Sequence, residues 1–203
     1  MDLKKTLIAL ALIALIAAGF FLMRKTPEAA PSASATAHPS SRLFNSLEWA
    51  MLRQGLKYDR AGAYADAAEW YRMAAERGLA EAQNNLGVMY KDGQGVKRDY
   101  AAAAHWFLLA ARQGYVLAQS NLGWLYQSGN GVEQNYAEAR RWYLAAACRG
   151  HAAAQNNLGT MYRDGQGVEQ NADSARYWFQ QAAAQGMQLA QCNLDKLNAP
   201  TSQ

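Results

Sequence analysis

The sequence predicts an all-α fold: an α-α superhelical solenoid of about four helix-pair repeats with a C-terminal capping helix, preceded by one N-terminal transmembrane helix. Two observations carry this prediction. A set of residues recurs every 36 positions over most of the chain, and an uncharged apolar run occupies residues 7–23. Of the 203 residues, 51% are hydrophobic and 11% aromatic, which is enough to build a core and excludes collagen and a low-complexity chain.

Residues 1–25 are predicted to anchor the chain in a membrane. The apolar run has two lysines before it and Arg24-Lys25 after it, and as a helix it would span roughly 25 Å, near the lower limit for a bilayer core. A cleaved signal peptide is the alternative, with a small-residue site ending at Gly19. Because the apolar run continues past that site to Met23, the sequence favours an uncleaved anchor.

Residues 26–43 are predicted to be a flexible linker, since they hold three of the four prolines and many alanines and serines. The repeat domain is predicted to follow over residues 44–199. An anchor, a spacer and a helical domain in this order are common in bacterial periplasmic proteins. We therefore expect a single-pass protein of the bacterial inner membrane with a periplasmic repeat domain, or a secreted protein if the N-terminus is cleaved.

Each 36-residue unit is predicted to be two antiparallel helices. The first runs from about Ala82 to Lys91, with apolar residues on one stripe at helical spacing. A loop with two glycines follows, and the second helix runs from about Tyr100 to Arg112. Gly114 comes just after it, as a helix C-terminal cap does. One such hairpin cannot bury both faces alone, so neighbouring units share a core.

The ends of the array depart from the period. In residues 46–79 the match is weaker, because Gly55 and Gly87 are 32 positions apart, which indicates a shorter loop. This first unit is predicted to cap the N-terminal end, and Leu52 and Trp49 to cover the core there. Residues 190–197 begin a further first helix without its glycine loop, which predicts the C-terminal capping helix.

The repeated strings closely resemble Sel1-like repeats, the long-loop relatives of tetratricopeptide repeats. They are AQNNLGVMYKDGQGV, AQSNLGWLYQSGNGV and AAQNNLGTMYRDGQGV, each followed by a helix with W(Y/F)xxAA. The resemblance covers Ala80 to about Leu197. It implies a right-handed superhelix whose first helices line a concave groove that binds a segment of a partner protein at the cell envelope.

By this resemblance the solvent-facing positions of the first helices are the candidate partner-binding residues. They are Asn84, Val88, Lys91 and Asp92; Ser120, Trp124, Gln127 and Ser128; Asn156, Thr160, Arg163 and Asp164. Trp124 stands out because the other units have Val88 and Thr160 there, so the repeat does not require an aromatic residue. An exposed tryptophan in a groove is typical of an interface anchor. Packing against a neighbouring helix is the alternative that stays open.

Other function classes find little support in the residues. The three histidines have no nucleophile at a recognisable spacing, and no cluster of Cys, His and acidic residues suggests a metal site. We therefore expect no enzyme, no cofactor and no small-molecule substrate. Half of the net charge of +4 lies in residues 1–41, so no dense basic face for nucleic acid is expected.

Some secreted relatives have a disulfide between a cysteine at the end of a second helix and a cysteine eight residues later in the next first helix. Each cysteine of this chain occupies one of these two positions, but neither has a cysteine at the other position. The position that would pair with Cys148 is Asn156, and the one for Cys192 is Ala184. No disulfide is therefore predicted.

Overall fold

The computed structural model describes residues 39–199, which form nine helices and no strand. The helices are α1 (Pro39–Arg60), α2 (Tyr64–Ala75), α3 (Ala80–Asp92), α4 (Tyr100–Arg112), α5 (Val116–Ser128), α6 (Tyr136–Ala147), α7 (Ala152–Asp164), α8 (Ala172–Ala183) and α9 (Gln188–Asn198). Units 1 to 4 are the pairs α1–α2, α3–α4, α5–α6 and α7–α8, and α9 closes the array. The predicted four helix pairs and capping helix are confirmed, while the handedness stays a prediction.

The predictions for the N-terminus fall largely outside the described residues. This applies to the anchor over residues 1–25 and to the linker as far as residue 38. Helix α1 begins at Pro39, before the predicted domain start at residue 44, and proline is tolerated there because the first N–H groups of a helix have no intrahelical partner. Between residues 39 and 199, none of the helices combines the length and hydropathy that a membrane crossing needs.

Consecutive helices pack on each other, more extensively within a unit than between units. A glycine in the first helix of each unit makes the close approach possible. In α5 this is Gly123, where an added Cβ would lie 2.8 Å from the Tyr143 ring on α6. Gly87 and Gly159 meet Phe107 and Phe179 in the same way. The repeated glycine is therefore a packing residue inside a helix.

The second helices of units 2 to 4 begin with a side-chain cap. Asp99, Asn135 and Asn171 each accept a hydrogen bond from the backbone N–H three residues later. The long loop before each cap uses two glycines with positive φ, such as 73° at Gly129 and 70° at Gly131 in unit 3. The predicted two-glycine loops are confirmed, and the second helix begins at the same position of the repeat in units 2 to 4.

A buried glutamine connects each unit to the one before it. Gln83, Gln119 and Gln155 donate from Nε2 to a carbonyl at the end of the preceding second helix, at 3.1 to 3.2 Å. In α3 and α7 the glutamine Oε1 also accepts from a glutamine of the next unit boundary, Gln113 or Gln185. These hydrogen bonds explain why glutamine recurs at a buried position.

Candidate functional site

One face of helices α3, α5 and α7 is open or partly open to solvent. In α5 it carries Leu117, Asn121, Trp124 and Ser128, spaced by four, three and four residues and therefore on one side of the helix. The matching positions are Glu81, Asn85, Val88 and Asp92 on α3, and Ala153, Asn157, Thr160 and Asp164 on α7. We call these twelve residues the groove face, because the resemblance to tetratricopeptide domains predicts that the first helices line the concave side; only six of the twelve are among the predicted partner-binding positions.

The prediction that Asn84, Ser120 and Asn156 face the solvent is wrong. Their exposed fractions are 4%, 8% and 4%. Two of them accept hydrogen bonds between the first helices of neighbouring units, from Asn121 to Asn84 at 3.2 Å and from Asn193 to Asn156 at 2.9 Å. Such pairing stabilises the burial of Asn84 and Asn156, so these two positions belong to the stacking of units, and Ser120 is buried at the equivalent place in α5.

Trp124 is 38% exposed and contacts the preceding unit with one side of its ring. The ring centroid is 6.2 Å from that of Tyr100, with the planes tilted by 51°. The Lys91 Nζ atom lies 6.0 Å from the Trp124 centroid, within the range of a cation–π contact. Trp124 is thus partly packed and partly accessible, and its role in binding stays a prediction.

Lys91 and Arg163 lie near the ends of α3 and α7, and each pairs with the aspartate that follows it. Lys91 Nζ is 2.9 Å from Asp92 Oδ1. Arg163 binds Asp164 through two hydrogen bonds of 2.7 and 2.9 Å. These bonds raise the pKa of the Arg163 guanidinium and lower the pKa of the Asp164 carboxyl. Exposed ion pairs contribute about 1 kcal/mol or less, so a ligand carboxylate can compete for either cation.

Gln127 is half-buried and its amide already has two partners. The Tyr143 hydroxyl donates to Gln127 Oε1 at 2.9 Å, and Gln127 Nε2 donates to Gln166 Oε1 at 2.8 Å. Burial raises the pKa of the Tyr143 hydroxyl well above its usual range, so it remains a donor at neutral pH. Gln127 therefore positions the loop of unit 4, and it has little capacity left for a ligand.

The other groove-face residues near this position have smaller or less accessible side chains than Trp124. Val88 is half-buried and packs against the core of units 2 and 3. Thr160 is half-buried, and its hydroxyl donates to the Asn156 carbonyl at 3.2 Å. Ser128 is exposed, but its hydroxyl likewise donates to the Trp124 carbonyl within α5 at 2.9 Å. Trp124 is therefore the largest accessible side chain on the groove face.

The structure adds Tyr100 and Arg98, which sequence analysis missed. The Arg98 guanidinium carbon lies 5.9 Å from the Tyr100 ring centroid. Lys91, Trp124, Tyr100 and Arg98 thus form one series of neighbouring contacts, which we call the cation–aromatic row. Comparison of the units offers a signal for Arg98, because the equivalent positions are glutamines. No sequence pattern indicates that Tyr100 and Trp124 are neighbours.

Leu117 is a second residue that sequence analysis missed. It is 47% exposed on the groove face, seven residues before Trp124. Its equivalents in the adjacent units are Glu81 and Ala153, so the repeat does not require an apolar side chain there. Two signals in the sequence would have identified Leu117: its helical spacing from Trp124, and the different residue types at its equivalent positions.

The two apolar residues assigned to the N-terminal end differ from each other. Leu52 is 1% exposed and lies in the core, as predicted. Trp49 is 45% exposed, so the prediction that it covers the core is wrong. It precedes the buried Ala50 and, with the shorter first unit, occupies the position of Glu81 and Leu117.

The histidines and cysteines considered in the sequence analysis have contacts that do not indicate a catalytic site. His151 is half-buried and caps α7, with Nδ1 accepting from the Ala154 N–H at 3.2 Å. His105 is exposed and contacts Trp106. Residues 39–199 contain no group of three or more His, Cys, Asp or Glu side chains placed to hold a metal ion. Both Cys148 and Cys192 are exposed and free.

The chain matches the family model for the Sel1 repeat in four consecutive segments, residues 51–79, 80–115, 116–151 and 152–187. The predicted family is thereby confirmed. The last three matches begin where units 2 to 4 begin, and the first match begins within α1 of unit 1. No curated protein matches at a significant level.

Two solved structures are similar in both sequence and fold. One is the uropathogenic Escherichia coli protein c5321, described as a protective antigen with an SLR fold, at 39% identity and a TM-score of 0.72 over 78% of this chain. The other is a Sel1 repeat protein from Oxalobacter formigenes, at 33% identity and a TM-score of 0.66 over 71%. The chain spans 36% of the first protein and 57% of the second.

Proposed function

Because this chain belongs to the Sel1 repeat family, whose fold is a general protein–protein interaction fold, we propose that it is an adaptor that binds a segment of a partner protein on the groove face. The single observation that carries the proposal is the exposure of Trp124 at a position where the neighbouring units have Val88 and Thr160. Together with the exposed Leu117 on the same face, this tryptophan forms an apolar patch that the repeat does not require, and such a patch favours a contact outside the domain.

Leu117 supports the same assignment. It lies two helical turns from Trp124 on the same face of α5, at a distance of about 10 Å along the axis. Two apolar side chains at this separation suit a peptide segment that places two apolar residues of its own in the groove. Tryptophan is enriched among the residues that dominate binding energy at such interfaces.

The test is affinity capture of crosslinked partners from the native cell with the wild-type protein and with Trp124→Thr. Threonine is the residue of unit 4 at this position, so the repeat accommodates it. The matched control is Tyr177→Thr, which removes an aromatic side chain that is 53% exposed on α8, outside the groove face.

We expect Trp124→Thr to weaken capture by roughly 30-fold, the effect of losing about 2 kcal/mol from an interface anchor. Tyr177→Thr is expected to leave capture unchanged. Equal capture by the wild type and Trp124→Thr would refute the role of Trp124, and equal loss in both variants would indicate non-specific adhesion of exposed aromatic residues.

The proposed setting is the bacterial inner membrane, with residues 7–23 as the anchor and the repeat domain in the periplasm. The length of the apolar run between basic residues supports the anchor. The two flanks carry equal numbers of basic residues, so the periplasmic placement is supported only by the order of anchor, spacer and helical domain. The exposed thiols of Cys148 and Cys192 provide the test. A thiol reagent that cannot cross the inner membrane should label both in cells with a permeabilised outer membrane. Labelling only after lysis would place the domain in the cytoplasm.

The alternative is a cleaved, secreted or periplasmic binding protein. The description of the uropathogenic E. coli relative as a protective antigen favours this alternative. N-terminal sequencing of the protein from membrane and soluble fractions separates the two. A start at Met1 in the membrane fraction supports the anchor, and a start after Gly19 in the soluble fraction supports cleavage. Neither version of the function requires catalysis, a cofactor, a small-molecule substrate or nucleic acid.

A further inference from the structure

Unit 2 departs from units 3 and 4 at the end of its loop, first of all at position 98. In units 3 and 4 this position is Gln134 or Gln170, and its Nε2 donates to the carbonyl of Gln127 or Arg163 near the end of the first helix, at 2.9 and 2.7 Å. This hydrogen bond satisfies one of the terminal carbonyls that a helix leaves without an intrahelical partner. In unit 2 the position is Arg98.

Arg98 does not take over the capping role. Its side chain is exposed, and the guanidinium lies against the Tyr100 ring. Among residues 39–199 no carboxylate forms an ion pair with it. A guanidinium that stacks on an aromatic ring keeps its N–H groups at the edge, where they can bind the two oxygens of a carboxylate.

The charge along this edge of the domain changes between units. The residue before Arg98 is Lys97, which is also exposed, whereas the residues at the same place in units 3 and 4 are Glu133 and Glu169. Lys91, which is paired with Asp92, lies beside Trp124. Three cations and the two aspartates Asp92 and Asp99 give this edge a net charge of +1 at unit 2, whereas the equivalent residues give −1 at unit 3 and −1 at unit 4, although the backbone geometry repeats.

We propose that the cation–aromatic row binds a partner segment in which an acidic side chain lies close to an aromatic or aliphatic one. The carboxylate would bind Arg98, with Lys97 beside it, and the apolar side chain would lie on Trp124 and Tyr100. Glu133 and Glu169 would repel the acidic end of the segment and so select one direction of binding. This inference rests on the proposed function and names the chemistry of the partner.

The test is selection of a random peptide library, displayed on phage, against the full chain in detergent. Arg98→Gln and Trp124→Thr are selected in parallel. Arg98→Gln introduces the residue of units 3 and 4, which can restore the cap on the Lys91 carbonyl, so we expect it to fold. Circular dichroism and the melting temperature verify the fold of each variant before selection.

We expect the wild type to enrich peptides with Asp or Glu within two residues of an apolar side chain. Arg98→Gln should retain the apolar preference and lose the acidic one, and Trp124→Thr should lose the apolar preference. A selected peptide should bind Arg98→Gln about fivefold more weakly than the wild type, as expected for one exposed ion pair. Its amide analogue, with Asn or Gln for the acid, should bind both equally.

The outcomes separate the two proposals. Two results would overturn the inference and leave the proposed function intact. One is an apolar enrichment that depends on Trp124 without any acidic preference, and the other is an acidic preference that persists in Arg98→Gln. Failure to select any peptide that depends on Trp124 overturns both. Enrichment of basic peptides by the wild type overturns the inference as well.

Discussion

Gly131→Ala offers the sharpest test of how the loops hold the site in place. The loop of unit 3 lies against the first residues of α4, so that a Cβ added to Gly131 would be 2.2 Å from the Tyr100 carbonyl carbon and 2.5 Å from the Ala101 nitrogen. Both atoms belong to the backbone and cannot rotate away. The loop would have to move from the helix that carries the Tyr100 ring of the cation–aromatic row.

Gly150→Ala is the matched control. Gly150 has φ of 84° and Gly131 has φ of 70°, so both substitutions force a side chain into the left-handed region. An added Cβ at Gly150 meets no atom within 4 Å. The backbone cost is about 1–2 kcal/mol for either residue, and overpacking at Gly131 adds about 1–3 kcal/mol. We expect destabilisation of about 1–2 kcal/mol for Gly150→Ala and about 2–5 kcal/mol for Gly131→Ala.

The assay is equilibrium unfolding in urea, followed by circular dichroism and tryptophan fluorescence. The two probes should give one transition for each variant if the array unfolds as a unit, and the free energies of unfolding are then compared at equal m values. If the two variants lost the same stability, the close contact between the unit 3 loop and α4 would not exist in solution. The reasoning about Tyr100 would fail with it.

Two further substitutions probe the unit boundary between α6 and α7. Arg149→Gln removes the exposed hydrogen bond from Arg149 Nη1 to the Gly114 carbonyl. It also supplies a donor to the buried Gln119 Oε1, which has no hydrogen-bond partner within residues 39–199 and which glutamines satisfy at the equivalent boundaries. Because an unsatisfied buried acceptor costs about 1–3 kcal/mol and an exposed hydrogen bond contributes about 1 kcal/mol, we expect a net stabilisation of about 1 kcal/mol; an unchanged or lower melting temperature would contradict this. Burial lowers the pKa of His151, so the unfolded chain binds its proton more readily, and stability should decline as the pH falls below about 6.5, the usual pKa of histidine. His151→Ser keeps a capping side chain that does not titrate, so its melting temperature between pH 7 and 5.5 should fall less than that of the wild type, and an equal fall would refute the assignment.

The repeat predicts the helix pairs well because each unit reuses one set of local contacts. The second helix of unit 2 is predicted from about Tyr100 to Arg112 and observed over those residues. The capping glycine Gly114 has the positive φ that its place after a helix requires. Trp124 is also identified from sequence, since comparison with Val88 and Thr160 shows that the fold does not require it.

The groove face is predicted less well because one residue along a helix turns the side chain by about 100°. Asn84 and its equivalents directly precede the half-buried asparagines of the groove face, and only the placement of the next unit decides that they are buried. The same limit applies to Leu117, which is exposed because none of the helices α1 to α9 covers that side of α5. Residue patterns identify the helices, but not the exposed side of each.

The sequence by itself determines the family, the number of units and the residues that depart from the repeat, because these follow from periodicity. Only the tertiary structure decides which of those departures meet. Trp124 is distant in sequence from Lys91 and Tyr100, yet the three form contacts where α5 packs against unit 2. Contacts between units depend on how rigid helices stack in space, and that arrangement places Trp124 of unit 3 beside Tyr100 of unit 2.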